Sequence, residues 1–136
     1  MSTQDIRWKQ RLSNYNKALG HLEKAHAIEN PDFVQKAGII QLFEMSFELA
    51  WKLLKDFLED QGFQDVKSPK AALKKAFEID LIAHGHQWMQ SLEDRNLTTH
   101  TYDEGKATQM VRLIDDKYYP ILKELQDTMN QKANEN

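Results

Sequence analysis

Arg95, His100 and Tyr102 stand within eight positions in the run Asp94-Arg95-Asn96-Leu97-Thr98-Thr99-His100-Thr101-Tyr102. An imidazole titrates near pH 6.5, so it can take up and return a proton at neutral pH. A guanidinium keeps its charge throughout, and its planar fork matches the oxygens of a phosphate or carboxylate. Together the two groups suit proton transfer beside a developing anion. When a helix beginning near Gly85 is projected at about 100° per residue, Trp88, Met89, Leu92, Arg95, Asn96 and Thr99 share one stripe. The apolar face thus turns polar at its end. His100 lies about 140° round from Arg95 on a continuous helix, so the two side chains converge only if the helix ends near Thr99 or a second copy of the chain supplies one of them. Thr101 and Glu104 form a T-x-x-E capping box that predicts a new helix there.

The elements that must hold these residues all read as helical. Over Thr3 to Glu29, Trp8, Leu12, Tyr15, Leu19, Leu22 and His26 recur at spacings of 4, 3, 4, 3 and 4, a heptad-like seam that predicts packing at a shallow angle. Asn30-Pro31 ends that helix, and Pro31 opens the next, which runs to Gln61. The apolar residues of this second helix, from Ile39 to Leu58, cover roughly 200° of its circumference, more than one neighbour can bury. It is therefore expected to be central or to carry a dimer interface, with Glu44, Glu48, Lys52 and Lys55 on the remaining strip and Gly62 as its stop. Ser68-Pro69 starts a short helix to about Ile79, buried through Ala72, Leu73, Ala76 and Phe77. After a turn over Leu81 to Gly85, a helix from Gln87 to Thr99 carries the Arg95 stripe. The last helix runs from Tyr102 towards Met129, with a kink or break at Pro120, and Asn130 to Asn136 is expected to fray. The prediction is an all-α fold: one domain over residues 1–136, an antiparallel up-and-down bundle of four long helices plus one short one.

Composition restricts the chemistry further. The 136 residues carry a net charge of -3, with 40% hydrophobic and 29% charged residues. This argues against a protein that coats nucleic acid through many phosphate contacts. With 0 cysteines, disulfides and thiolate metal sites are excluded. No apolar run approaches the roughly 18 residues of a membrane span and the polar start MSTQD does not resemble a signal peptide, so no membrane contact and a cytoplasmic setting are expected. His84 and His86 have no evident third ligand, and neither a metal nor a cofactor is expected.

The run R-N-L-T-T-H-T-Y fits the R-x4-H-x-Y signature of the HEPN superfamily, with polar Asn96 directly after the arginine. Three blocks in order, F-E-M-S-F-E-L-A-W-K-L-L-K-D-F-L, S-P-K-A-A-L-K-K-A-F and L-E-D-R-N-L-T-T-H-T-Y, resemble its branch of nucleotidyltransferase substrate-binding proteins. The similarity spans about Trp8 to Leu125. It implies a helical homodimer that works beside a separately encoded minimal nucleotidyltransferase. In some such pairs, of toxin-antitoxin type, the helical member is a metal-independent ribonuclease, which its partner silences by attaching AMP to the motif tyrosine. Carried over by residue, the resemblance makes Arg95 and His100 catalytic, Asn96 supportive and Tyr102 the modified residue. It also implies an alternative role, a non-catalytic subunit that binds substrate for the transferase.

Each of these residues also has a purely structural reading. Arg95 can pair with a carboxylate such as Asp94 or Glu48, which spacing alone favours. His100 can belong to the helix cap, and Tyr102 can sit at the edge of the core. Met45 and the Glu44/Glu48 strip read as surface on which a partner can dock.

Overall fold

A computed structural model describes residues 3–96 and 103–135. It contains α1 (Thr3–His26), α2 (Phe33–Asp60), α3 (Pro69–Glu78), α4 (Gly85–Asn96) and α5 (Glu104–Leu113). A π turn (Ile114–Tyr118) then leads into α6 (Tyr119–Asn134). Every described element is helical, as the periodicity predicts.

Local chemistry sets the ends. α1 stops at His26, three residues short of the expected limit, because the chain winds down through Ala27 and Ile28 into Asn30 at φ 51°. α2 starts at Phe33 rather than Pro31, since Asp32 caps it through a reciprocal pair. The Gln35 N–H donates to Asp32 Oδ1 at 2.8 Å, and the Asp32 N–H donates to Gln35 Oε1 at 2.9 Å. Gly62 ends α2 at φ 94°. Its N–H donates to the Glu59 carbonyl and that of Phe63 to the Leu58 carbonyl, the Schellman pattern that a glycine permits at no steric cost. Ser68 caps α3 as expected, accepting from the Ala71 N–H at 3.2 Å.

The side chains that meet across helices give their directions. Trp8, early in α1, packs edge-on against Phe57, late in α2, with ring centres 5.1 Å apart. His26 stacks on Tyr119 at 4.7 Å, while Asn16 bonds Asn130 at 3.0 Å. α1 therefore runs antiparallel to both α2 and α6. Lys36 meets Thr108 and Lys132 lies over Phe57, so α2 runs parallel to the last helical segment. His84 lies near Glu124 and Asp94 accepts from Tyr118, which makes α4 antiparallel to that segment. The four long segments follow an up-down-up-down order, with α3 as the added short helix. α2 touches α1, α3, α4, α5 and α6, which is what its wide apolar surface demands.

The core joins Tyr15, Leu19 and Leu22 of α1 to Phe43, Phe47, Leu53 and Leu54 of α2, Trp88 of α4, and Ile114, Tyr118 and Leu125. Tyr15 is fully buried, and its hydroxyl donates to the Leu122 carbonyl at 2.6 Å. Asp56 is also buried; its carboxylate meets Arg11 Nε at 3.0 Å and Lys55 Nζ at 3.6 Å.

Three expectations need correction. Phe77 is 51% exposed; its ring lies beside Gly85, where an added Cβ would sit 2.9 Å from it. A larger residue at position 85 would require the ring to shift. The last helix does not end near Met129: it continues to Asn134, with Asn16 bonding both Asn130 and Gln126 and with Met129 fully buried. α5 begins at Glu104, two residues later than expected, with Asp103 as its cap, accepting from the Lys106 N–H at 3.1 Å; Thr101 and Tyr102 lie outside the described residues.

Pro120 has the expected effect, and its form is specific. Proline lacks the N–H that would bond the Asp116 carbonyl. Just before it the Tyr119 N–H reaches back five residues to the Ile114 carbonyl, which accommodates the break as one wide turn.

Candidate functional site

Residues Trp88 and Ser91 fix α4 against the core. Trp88 packs on Phe47 of α2 with ring centres 6.3 Å apart, and the Ser91 hydroxyl turns back to the Trp88 carbonyl at 2.6 Å. Met89 and Leu92 are partly buried beside them, and Asn96 is exposed. The stripe thus passes from apolar to polar along α4, as projected, but it faces solvent by Asn96.

Arg95 sits at that transition. Its Nη1 meets Glu48 Oε2 of α2 at 2.6 Å, and the guanidinium carbon lies 5.4 Å from the centre of the Phe47 ring. Lys52 approaches the same carboxylate at 3.5 Å. One of the two structural partners expected from spacing, Glu48, is the one found. The pair is part-buried but still open to solvent, so it orients the guanidinium while adding about 1 kcal/mol or less to stability. A ring face beneath the cation holds it further.

Beside Arg95 opens a cavity of about 410 Å³ lined by Gln41, Glu44, Met45, Glu48, Leu49 and Arg95 itself. Met45 is 45% exposed there and Val34, further along α2, 78%. This is the expected surface strip, and Arg95 forms part of its rim.

Asp94 meets a different element. It accepts a hydrogen bond from the Tyr118 hydroxyl, and the Tyr118 ring stacks on Phe43 at 5.5 Å. Nothing in local sequence marks this link, because the two residues lie 24 positions apart. His100 and Tyr102, the remaining candidates, lie outside the described residues. His84 stands 3.7 Å from Glu124, and His86 is exposed. Among the described residues no three metal-ligating side chains cluster, and no helix is long and apolar enough to cross a membrane.

Burial pushes the Tyr118 phenol above its ordinary pKa, with the Asp94 hydrogen bond and negative charge adding to the effect. Burial likewise pushes Tyr15 well up, Tyr119 contributing next. A phenol with a folded-state pKa above its unfolded value of about 10 keeps its proton in the native state after the unfolded chain has lost it. The native state then binds more protons, so stability falls as pH rises past that value. In an alkaline titration, Tyr15 and Tyr118 are expected to ionise only together with loss of helical circular dichroism. Full tyrosinate absorbance from all 4 tyrosines in a still-helical protein would contradict this.

Residues 10–131 match the family described as nucleotidyltransferase substrate binding protein like. The chain belongs to this family. The assignment agrees with the motif blocks and places the chain in the corresponding branch of the HEPN superfamily. A Haemophilus influenzae protein named probable ribonuclease HepT is 34% identical over 99 residues, which cover 63% of this chain. The matched part spans 64% of that relative's length. Two solved structures share the fold. One, from Thermus thermophilus, gives a TM-score of 0.74 at 30% identity, covering 89% of this chain and 99% of its own. The other, from Haemophilus influenzae, is described as revealing the fold of a substrate binding domain of a nucleotidyltransferase. It gives 0.76 at 29% identity, covering 88% and 99%.

Proposed function

We propose that this chain is the toxin of a toxin-antitoxin pair, a metal-independent endoribonuclease acting in the cytoplasm as a homodimer. A partner nucleotidyltransferase encoded nearby silences it by moving AMP from ATP to the Tyr102 hydroxyl, with release of pyrophosphate. The observation that carries the reading is Arg95, held by Glu48 over Phe47 at the rim of an open cavity. The R-x4-H-x-Y motif runs on directly from it. The name of the Haemophilus relative points the same way.

The chemistry needs a base, an acid and a cation. The base takes the proton of a ribose 2'-hydroxyl, whose oxygen attacks the adjacent phosphorus. The bond to the 5'-oxygen breaks as an acid protonates it, leaving a 2',3'-cyclic phosphate and a free 5'-hydroxyl. His100 performs the proton transfers and Arg95 offsets the charge on the phosphorane, with Asn96 in support. One chain supplies one imidazole; a two-fold dimer supplies two. The exposed Val34 and Met45 on the same side of α2 support a second copy there, as large apolar side chains in water favour an interface.

A second reading, a non-catalytic subunit that binds substrate for the transferase, is favoured by the description of the Haemophilus structure. Intact mass after co-expression with the transferase tests the first reading. Wild type is expected to gain mass in multiples of AMP and to lose RNA cleavage, while Tyr102→Phe gains none and still cleaves. No gain in wild type removes the modification, and no cleavage by the unmodified protein leaves the substrate-binding reading.

A further inference from the structure

The wide turn before Pro120 delivers one side chain to the back of the Arg95 segment. Tyr118 is the last residue of that turn, its ring is buried against Phe43, and its hydroxyl donates to Asp94. Asp94 directly precedes Arg95, so two successive residues of α4 are gripped by different elements. Tyr118 holds Asp94, while Glu48 and Phe47 hold Arg95. The two grips share a base, because Phe43 under Tyr118 and Phe47 under Arg95 are neighbours one turn apart on α2, with ring centres 6.1 Å apart.

We propose that Tyr118 is a positioning residue for Arg95. Its hydroxyl locks the last turn of α4 through Asp94, so that the guanidinium has a single placement at the cavity rim. The physical case rests on the difference between the two grips. Both contacts are part-buried, but Arg95 reaches Glu48 on a long, rotatable side chain that is 25% exposed, whereas the Tyr118 ring is fully buried in the core. A buried phenol donating to a carboxylate is a charge-assisted bond, and breaking it leaves polar atoms poorly satisfied. The stiffer contact therefore fixes the backbone from which the softer one extends. Sites that depend on placement lose about 10²-fold for a misplacement on the order of 1 Å.

The proposal rests on the catalytic reading of Arg95, and its test keeps the two apart. Tyr118→Phe retains the ring on Phe43 and removes only the donor. Tyr15→Phe removes a buried hydroxyl elsewhere in the core and serves as control. Two quantities are read on the full chain: the exchange rate of the Arg95 Nε–H by NMR, and kcat and KM for RNA cleavage. In Tyr118→Phe the Arg95 signal is expected to exchange about tenfold faster, with kcat down about tenfold and KM nearly unchanged. Tyr15→Phe should leave both as in wild type. Should wild type cleave no RNA, the catalytic reading fails and the NMR signal alone decides the positioning role. An Arg95 signal that is unchanged in Tyr118→Phe, or altered equally in both variants, overturns the proposal.

Discussion

Replacing His100 or Arg95 with alanine lowers RNA cleavage by about 10²- to 10⁴-fold, the usual range for losing a proton-transfer group or a charge stabiliser. The fold is expected to survive both changes. Arg95 contributes a part-buried ion pair still open to solvent, Glu48 retains Lys52 at 3.5 Å, and the Trp88 anchor of α4 is untouched. Circular dichroism should therefore match wild type, with a stability change of about 1 kcal/mol or less for Arg95→Ala. If growth inhibition and cleavage persist in both variants, the motif does not carry the chemistry. Size-exclusion chromatography adds an independent check, because an active monomer would exclude a site completed by two protomers.

A second large effect is expected in the core beneath the site. Phe43 is fully buried and meets both Phe47 and Tyr118. Phe43→Ala removes most of a ring from a packed interior and should cost about 3 to 5 kcal/mol. That is a large share of the roughly 5 to 15 kcal/mol that stabilises an ordinary domain. Urea unfolding followed by circular dichroism measures it, read as a lower midpoint at an unchanged slope. A loss of under about 1 kcal/mol would mean that neighbouring side chains close the space. Phe43→Leu, which keeps an apolar side chain there, should retain more stability than Phe43→Ala.

Features encoded by adjacent residues are legible in the sequence, and those created by distant ones are not. Gly62 and Ser68-Pro69 announce their roles because a helix end is decided by a few neighbouring backbone groups. The heptad spacing of Trp8 to Leu22 gives the buried side of α1, every member of which lies in the core. The Asp32 cap is equally local, and its D-x-x-Q pattern marks the start of α2 more closely than Pro31 does. Phe77 defeats the periodicity rule because helical spacing does not tell whether a neighbour covers the position: its ring meets Gly85, eight residues on and in another helix, and stays 51% exposed. The helical tail depends on Asn16, and the grip on Asp94 depends on Tyr118 across a wide turn. At the site, Arg95 and its cluster on α2 are described, and Glu48 is one of two carboxylates that spacing offers it. His100 and Tyr102 stand on the motif and its family resemblance.

The carboxylate of Asp56, sealed between α1 and α2 and matched by Arg11, bears on how the first two helices find their alignment. Heptad seams of similar leucines and aromatics tolerate sliding by one repeat, since apolar side chains interlock almost as well one notch along. A slip of that kind would carry Arg11 away from this buried carboxylate and leave only Lys55 of its own helix beside it, which costs stability because a buried ion that loses a partner is poorly compensated. Misaligned pairings of α1 and α2 are thereby disfavoured in the closed bundle, where this carboxylate is buried.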